Sequence, residues 1–241
     1  MKSAVVLMNL GTPSAPTVTA IRRYLREFLS DRRVVEIPRL IWYPILYGII
    51  LPFRPKRTVA AYQQLWREYG DSPLRAINQQ QAVALQQLLN ARRDTPDMSG
   101  DAHDVTIVKL AMTYAGPALS DVVAELRAQA VESILVLPLY PQYSATTTGS
   151  IYDRVAALFT GNRDVPAISV VKQYFRHPLY IEALAQSVRA HWRQHGRARR
   201  LLMSFHGIPR RNVERGDPYR AQCEITAQLL AQSLGLSAPE W

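Results

Sequence analysis

The side chain in this sequence best suited to chemistry is the imidazole of His206. It follows the largely apolar run Leu201 to Phe205, and the turn-forming residues Gly207 to Pro209 come directly after it. Such a run, ended by Gly and Pro, predicts a buried parallel strand and its exit turn. In an open α/β sheet, ligands bind beyond the carboxyl ends of the strands. A neutral imidazole there can accept a proton or ligate a transition metal, whereas a core histidine with satisfied nitrogens is the alternative.

Ligand-capable side chains also follow other predicted strands. These strands are Ala4 to Leu10, Val105 to Met112, Ile134 to Leu139 and Ala167 to Val171. At the carboxyl ends of the first three strands lie segments rich in polar, hydroxyl or aromatic side chains: Asn9 to Pro13, Thr113 to Pro117 and Tyr140 to Ser150. The carboxyl ends of parallel strands meet at one edge of a sheet, so these segments predict a polar and aromatic crevice.

The elements that position these segments alternate between strand and helix. The predicted helices are Val18 to Phe28, Tyr62 to Tyr69, Leu74 to Arg93, Leu119 to Val131, Ile151 to Phe159, Pro178 to Trp192 and Pro218 to Leu234. A predicted loop, Asp94 to His103, precedes the second strand. The alternation predicts an α/β fold of doubly wound parallel sheets. A boundary at Gly161 to Asp164 divides it into a first domain, 1–164, and the start of a second, 165–241, whose sheet is incomplete.

The segment Ile37 to Phe53 contains a run of twelve uncharged residues, Leu40 to Leu51. It is shorter than the about 20 residues that a membrane span requires, and Pro44 interrupts it. Three cations follow: Arg54, Lys56 and Arg57. The run is compatible with a buried helix, with an interfacial membrane segment, or with the lip of a pocket for a flat apolar ligand that carries carboxylates.

The composition excludes some classes of protein and favours others. The 241 residues are 48% hydrophobic, which indicates a packed core, and the net charge of +10 suggests an anionic partner. Nucleic acid is one such partner, but the chain carries no recognised nucleic-acid motif, so we expect none. The single cysteine, Cys223, permits no internal disulfide and no iron–sulfur cluster held by this chain alone. With no signal-peptide pattern, these features predict a cytoplasmic protein.

Five ordered segments resemble the ferrochelatase family. They are MNLGTP (Met8 to Pro13), RRYLREFLSDRRVVEIPR (Arg22 to Arg39), LPLYPQYSATTTGS (Leu137 to Ser150), SFHGIP (Ser204 to Pro209) and GDPYRAQC (Gly216 to Cys223). Members of that family insert ferrous iron into protoporphyrin IX in the last step of haem synthesis. The resemblance implies two Rossmann-like, chelatase-like domains with a porphyrin cleft between them.

The resemblance also implies roles for individual residues. His206 matches the active-site histidine, and therefore a catalytic and metal-contacting residue. Leu10 matches a position that contacts the macrocycle, and Tyr114 and Tyr143 match aromatic residues of the cleft. Positions near the propionate arms are matched by Lys56, Arg57 and Ser72. Ile37 to Leu51 matches a hydrophobic lip that can touch the membrane, so we expect peripheral membrane contact through 37–53, at the inner face.

Two departures from the family pattern are visible. Thr113 stands where the family commonly has arginine, which removes a cation near the cleft. The glutamate that faces the histidine in the family is expected beyond Trp241, which makes this chain a fragment. We expect a monomer with ferrous iron as substrate and no required cofactor. The alternatives are a related chelatase acting on coproporphyrin or a cobalt substrate, and an inactive tetrapyrrole-binding fragment.

Overall fold

The computed structural model describes residues 2–93 and 105–241, which form two compact units. The first unit comprises Met1–Leu139 and Thr146–Val171, and the second comprises Tyr140–Ala145 and Lys172–Trp241. The predicted loop Asp94 to His103 lies outside the described residues.

The first unit alternates strands and helices, as the sequence predicts. Its elements in chain order are β1 (Ser3–Asn9), α1 (Val18–Leu29), α2 (Arg39–Ile45), a π-helical turn (Leu46–Ile50), α3 (Leu51–Tyr69), α4 (Pro73–Arg93), β2 (Thr106–Met112), α5 (Leu119–Ala128), β3 (Ser133–Pro138), a second π-helical turn (Ala145–Gly149), α6 (Ser150–Phe159) and β4 (Ala167–Val170). The termini follow local chemistry: the Thr17 hydroxyl accepts a hydrogen bond from the Ala20 amide at the start of α1, and Gly70, with φ +73°, ends α3.

The four strands form one parallel sheet in the order β2-β1-β3-β4. In the register of the central strand, Val6 lies between Lys109 of β2 and Val136 of β3. Since β2 and β3 flank β1, the chain leaves the centre of the sheet in opposite directions. This order places the topological switch point, where ligands bind in such folds, between β1 and β3. The α/β fold class with a parallel sheet flanked by helices is therefore confirmed.

Two apolar clusters hold the first unit together. One joins α4 to the sheet through Ala82, Leu7 and Leu110. The other joins α1 to α2 and α3 and includes Leu25 and Leu46. Apolar burial of this kind contributes about 25 cal/mol for each Å² removed from water, so these clusters fix the helices against their neighbours.

The segment around the first π-helical turn is mostly exposed, so the buried helix, one of the three alternatives for Leu40 to Leu51, is not what the structure shows. Only Trp42, Leu46 and Leu51 in this stretch are buried. The Trp42 indole Nε1 donates a hydrogen bond to the Leu29 carbonyl at 2.7 Å, which fastens the segment to the end of α1. The exposed members define what we call the apolar surface: Leu40, Ile41, Tyr43, Ile45, Tyr47, Ile49 and Phe53. No helix among the described residues has the length and apolarity to cross a bilayer.

The second unit contains helices and connecting segments. Its elements are α7 (Pro178–His195), α8 (Arg210–Glu214), α9 (Tyr219–Ser233) and a short 3₁₀ turn (Ala238–Glu240). The predicted strand at Leu201 to Phe205 is not formed, and Leu202 is 86% exposed. A strand is stable only beside a hydrogen-bonded neighbour, and no described strand lies in this unit to pair with it.

The division between the units also differs from the predicted boundary at Gly161 to Asp164. The strand β4, which that boundary assigned to the second domain, pairs with β3 in the first unit. Strand pairing, and not the polar turn that precedes β4, decides where this strand belongs.

Candidate functional site

In the first unit, the segments that follow β1 and β2 are joined by backbone hydrogen bonds. The Asn9 carbonyl accepts hydrogen bonds from the Thr113 amide at 2.8 Å and the Thr113 hydroxyl at 3.1 Å. One residue further, the Tyr114 amide donates to the Leu10 carbonyl at 2.9 Å. The two segments therefore form a single backbone platform at the carboxyl edge of the sheet.

Gly11 lies at the closest approach within this platform. Its φ is +101°, and a Cβ atom on it would lie 1.9 Å from the Tyr114 carbonyl oxygen. Only glycine combines this backbone conformation with that contact. The Gly of the MNLGTP motif is thus explained by the packing of the segment after β1 against the segment after β2.

Tyr114 is held from three sides and is only 1% exposed. Its hydroxyl donates to Asp31 Oδ2 at 2.8 Å and lies 3.2 Å from the Ser150 hydroxyl, which also hydrogen-bonds Asp31. The Phe28 ring packs edge-on at 5.2 Å between centroids, and burial raises the pKa of the Tyr114 hydroxyl well above its ordinary value. The side chain is therefore engaged inside the first unit, with its hydroxyl bound by Asp31 and Ser150.

Arg154 supplies a cation near Thr113. Its guanidinium carbon lies 4.7 Å from the centroid of the Tyr114 ring. Arg154 and Thr113 line the same cavity of about 350 Å³, together with Glu27. A positive charge is therefore present in the neighbourhood where the family commonly has arginine at position 113.

The other site residues predicted in the first unit differ in accessibility. Leu10 is half-buried and packs against the cluster of α1, α2 and α3. Lys56 and Arg57 are exposed on α3. Ser72 is buried just before α4, where its amide donates to Asp71 Oδ1 at 2.6 Å. Leu10, Lys56 and Arg57 can thus meet a ligand directly.

Asp71 is itself fixed by the first turn of α4. It forms a two-point ion pair with Arg75, whose hydrogen bonds hold the pKa of the Asp71 carboxyl below its ordinary value. The ionised carboxylate therefore keeps the backbone at Ser72 in place at neutral pH.

In the second unit, the segment that contains Tyr143 is held by the first turns of α9. Asp217 Oδ2 accepts hydrogen bonds from the Ser144 hydroxyl and from the Ala145 amide, both at 2.8 Å. The Tyr143 amide donates to Gln222 Oε1 at 2.7 Å. The LPLYPQYSATTTGS and GDPYRAQC motifs are therefore two sides of one contact, which leaves the Tyr143 ring half-buried.

His206 lies in the second unit, in the extended segment before α8, and is exposed. Its backbone forms a hydrogen bond with the Tyr219 hydroxyl. Burial and the neighbouring Cys223 raise the pKa of Tyr219 to about 12, and the hydrogen bond from His206 opposes that rise. Burial likewise raises the pKa of the Cys223 thiol, so this sole cysteine is a neutral neighbour of the histidine segment.

No cluster of three or more potential metal ligands occurs among the residues that the structure describes.

Sequence reasoning missed several residues that organise the site. Asp31 and Ser150 were quoted within motifs but given no role, although they bind the Tyr114 hydroxyl. Asp217 stands in the GDPYRAQC motif: its Oδ1 accepts a hydrogen bond from the Tyr219 amide at the start of α9, and its Oδ2 accepts one from the Ser144 hydroxyl. Gln222 gave no signal, since an amide side chain on a helix is usually a solvated one. These contacts join residues far apart in sequence, which a local pattern cannot indicate.

Comparison with known proteins identifies relatives along the whole chain. A family model described as Ferrochelatase matches residues 2–241. The ferrochelatase of Aeromonas hydrophila is 47% identical over 240 residues, covering 100% of this chain and 71% of that protein. Ferrochelatase 1 of Shewanella oneidensis is 48% identical over 98% of this chain and 68% of its own length. The ferrochelatase of a Janthinobacterium species is 49% identical over 100% of this chain and 62% of its own length.

Proposed function

This chain belongs to the ferrochelatase family, and we propose that its protein inserts ferrous iron into protoporphyrin IX to form protohaem. The observation that carries this proposal is the match of the family model to residues 2–241. The names of the curated relatives favour a metal chelatase, a lyase, that acts on iron over a cobalt chelatase. The chain spans between 62% and 71% of the length of those three relatives. We therefore propose the iron-insertion activity for the whole protein that contains this chain.

The reaction requires a base beside the macrocycle. Ferrous iron replaces two pyrrole protons, so each turnover releases two protons and forms bonds from iron to the pyrrole nitrogens. We assign His206 to this position, because an exposed neutral imidazole can accept a proton or contact the incoming metal. A carboxylate on the opposite face would take the other proton, and we propose that this glutamate lies in the part of the relatives that this chain does not span.

Binding of a bent macrocycle would lower the barrier. Bending turns the nitrogen lone pairs out of the ring plane toward the metal, so a site that fits the bent form binds the transition state better than the substrate. A rigid platform is needed for such selection. The backbone platform that joins Leu10 to Tyr114, with Gly11 at its closest approach, supports this role for the segment after β1.

We assign the remaining site residues by their accessibility and charge. Lys56 and Arg57 are exposed cations, suited to the two propionate carboxylates of the porphyrin. Leu10 and Tyr143 would contact the apolar ring. Tyr114 and Ser72 are buried, so we propose that they position the segments beside the substrate. Iron is a substrate, and no resident cofactor is part of this proposal.

We also propose that the protein is a cytoplasmic monomer that contacts the inner membrane face through Ile37 to Phe53. The apolar surface supports this contact, since Leu40 is 92% exposed and Ile49 is 59% exposed. Apolar side chains next to cations are typical of segments that lie in the membrane interface.

The decisive experiment replaces His206 in the expressed protein that contains this chain. We expect His206→Ala to abolish iron insertion, followed as the loss of porphyrin fluorescence, while the Soret shift on porphyrin binding persists. His191→Ala, on the exposed face of α7, is the matched control and should insert iron at the normal rate. Unchanged turnover in His206→Ala would exclude the assigned role.

The same assay separates the alternatives. Faster iron insertion into coproporphyrin than into protoporphyrin would identify a related chelatase. A Soret shift without turnover in every variant would identify a tetrapyrrole-binding protein that lacks activity.

A further inference from the structure

A cavity of about 590 Å³ lies in the first unit between α1 and the start of α3. Arg22, Arg23 and Arg26 line it from α1, and Tyr47 and Leu51 line it from the other side. The arginines share one side of the helix because residues four apart are neighbours on a helix surface. The cavity therefore combines a cationic wall with an apolar one.

The guanidinium groups of this wall are only partly neutralised. Arg22 Nε donates to the Leu51 carbonyl at 3.1 Å, which fixes this side chain without cancelling its charge. Arg23 lies 3.4 Å from Glu27, and its side chain is 74% exposed. Arg26 has no carboxylate partner among residues 2–93 and 105–241. Glu27 also accepts a hydrogen bond from the Ala115 amide, so its carboxylate is shared between Arg23 and that amide.

The apolar surface continues from this cavity, because Tyr47 belongs to both. Ile49 and Phe53, on either side of the cavity-lining residue Leu51, are 59% and 57% exposed. Exposed apolar side chains in a contiguous segment mark a surface that something covers. The occupant has to carry negative charge for the arginines and apolar bulk for the isoleucines and aromatic rings.

We propose that this cavity binds the phosphate of an anionic phospholipid while the apolar surface enters the acyl boundary of the same bilayer. Guanidinium groups bind phosphate through paired hydrogen bonds, and a cationic site beside apolar side chains matches a lipid, which has both parts. The inference rests on the membrane contact proposed above and names its lipid class. It does not depend on iron insertion, because lipid binding is measured separately.

The test is co-sedimentation of the protein with vesicles of phosphatidylcholine, with and without phosphatidylglycerol. We expect tighter binding to the vesicles that contain phosphatidylglycerol. Arg23→Gln combined with Arg26→Gln should weaken that binding roughly 30-fold, because each cation near an anionic surface contributes about 1 kcal/mol. Arg22 is left unchanged, since it also bonds the Leu51 carbonyl.

The control removes the same charge elsewhere: Arg193→Gln combined with Arg199→Gln, two exposed arginines of the second unit. This variant should bind as the parent protein does. Equal losses in both double variants would mean that only net charge matters, and would overturn the site. Calorimetry with inorganic phosphate is the second arm: tight binding of free phosphate that depends on Arg23 and Arg26 would identify a soluble anion instead of a lipid.

Discussion

Individual residues of the site have well-defined physical tasks. Gly11 permits the close approach of two backbone segments, Asp31 binds the hydroxyls of Tyr114 and Ser150, and Asp217 holds Ser144. None of these is the group that the chemistry would use. They fix the backbone of the segments that carry the candidate site residues, each within its own unit.

Gly11→Ala should lower the free energy of unfolding by at least about 2 kcal/mol, because the new Cβ meets the Tyr114 carbonyl and the backbone becomes strained. Gly70→Ala is the matched control: its φ is +73°, but nothing lies within 4 Å of the added Cβ. Gly70→Ala should therefore lower the free energy of unfolding by only about 1 kcal/mol, the cost of placing alanine in a left-handed backbone conformation. Urea unfolding of both variants gives the comparison, and equal costs would exclude the close contact as the cause.

Elements of the first unit are also held by ion pairs that span the sequence. Arg33, which follows α1, donates to both carboxylate oxygens of Asp153 on α6, at 2.6 and 2.7 Å. Those hydrogen bonds hold the pKa of Asp153 below its ordinary value. The contact joins the motif segment Arg22 to Arg39 to the helix that carries Ser150, and so supports the hydroxyl network of Tyr114.

Asp153→Asn should reduce stability at neutral pH by less than about 1 kcal/mol, since the Asp153 side chain is 58% exposed. A carboxyl whose folded pKa is lowered contributes stability above its unfolded value of 3.8, and this contribution disappears as pH falls through the folded pKa. The difference between variant and parent in urea unfolding should therefore vanish at strongly acidic pH. In an Arg33→Gln background the same substitution should have no effect at either pH; a persisting effect would contradict the pairing.

At the scale of the whole molecule, the net charge of +10 favours anionic ligands of several kinds. Porphyrin and an anionic lipid would both use this charge, but through different residues of the first unit. Lys56 and Arg57 on α3 are assigned to the propionates, and the arginines of α1 to the phosphate. The two proposals can therefore be tested by separate substitutions.

Association with protoporphyrin IX should slow as salt concentration rises, because the basic protein attracts the propionate carboxylates over long range. The dimethyl ester of the same porphyrin carries no such charge, and its association rate should be almost independent of salt. Stopped-flow fluorescence quenching measures both rates. The same salt dependence for acid and ester would exclude electrostatic attraction as the cause.

The sequence by itself determined the strand–helix alternation of the first unit, because hydrophobic periodicity and Gly and Pro breaks are local signals. It also determined the family, through motifs that extend along the chain. Only the tertiary structure decided three further points: β4 pairs with β3, Leu201 to Phe205 forms no strand, and Leu40 to Leu51 is mostly exposed. Each depends on which partner a segment finds across the fold, and hydrogen-bonded neighbours and buried contacts come from residues distant in sequence.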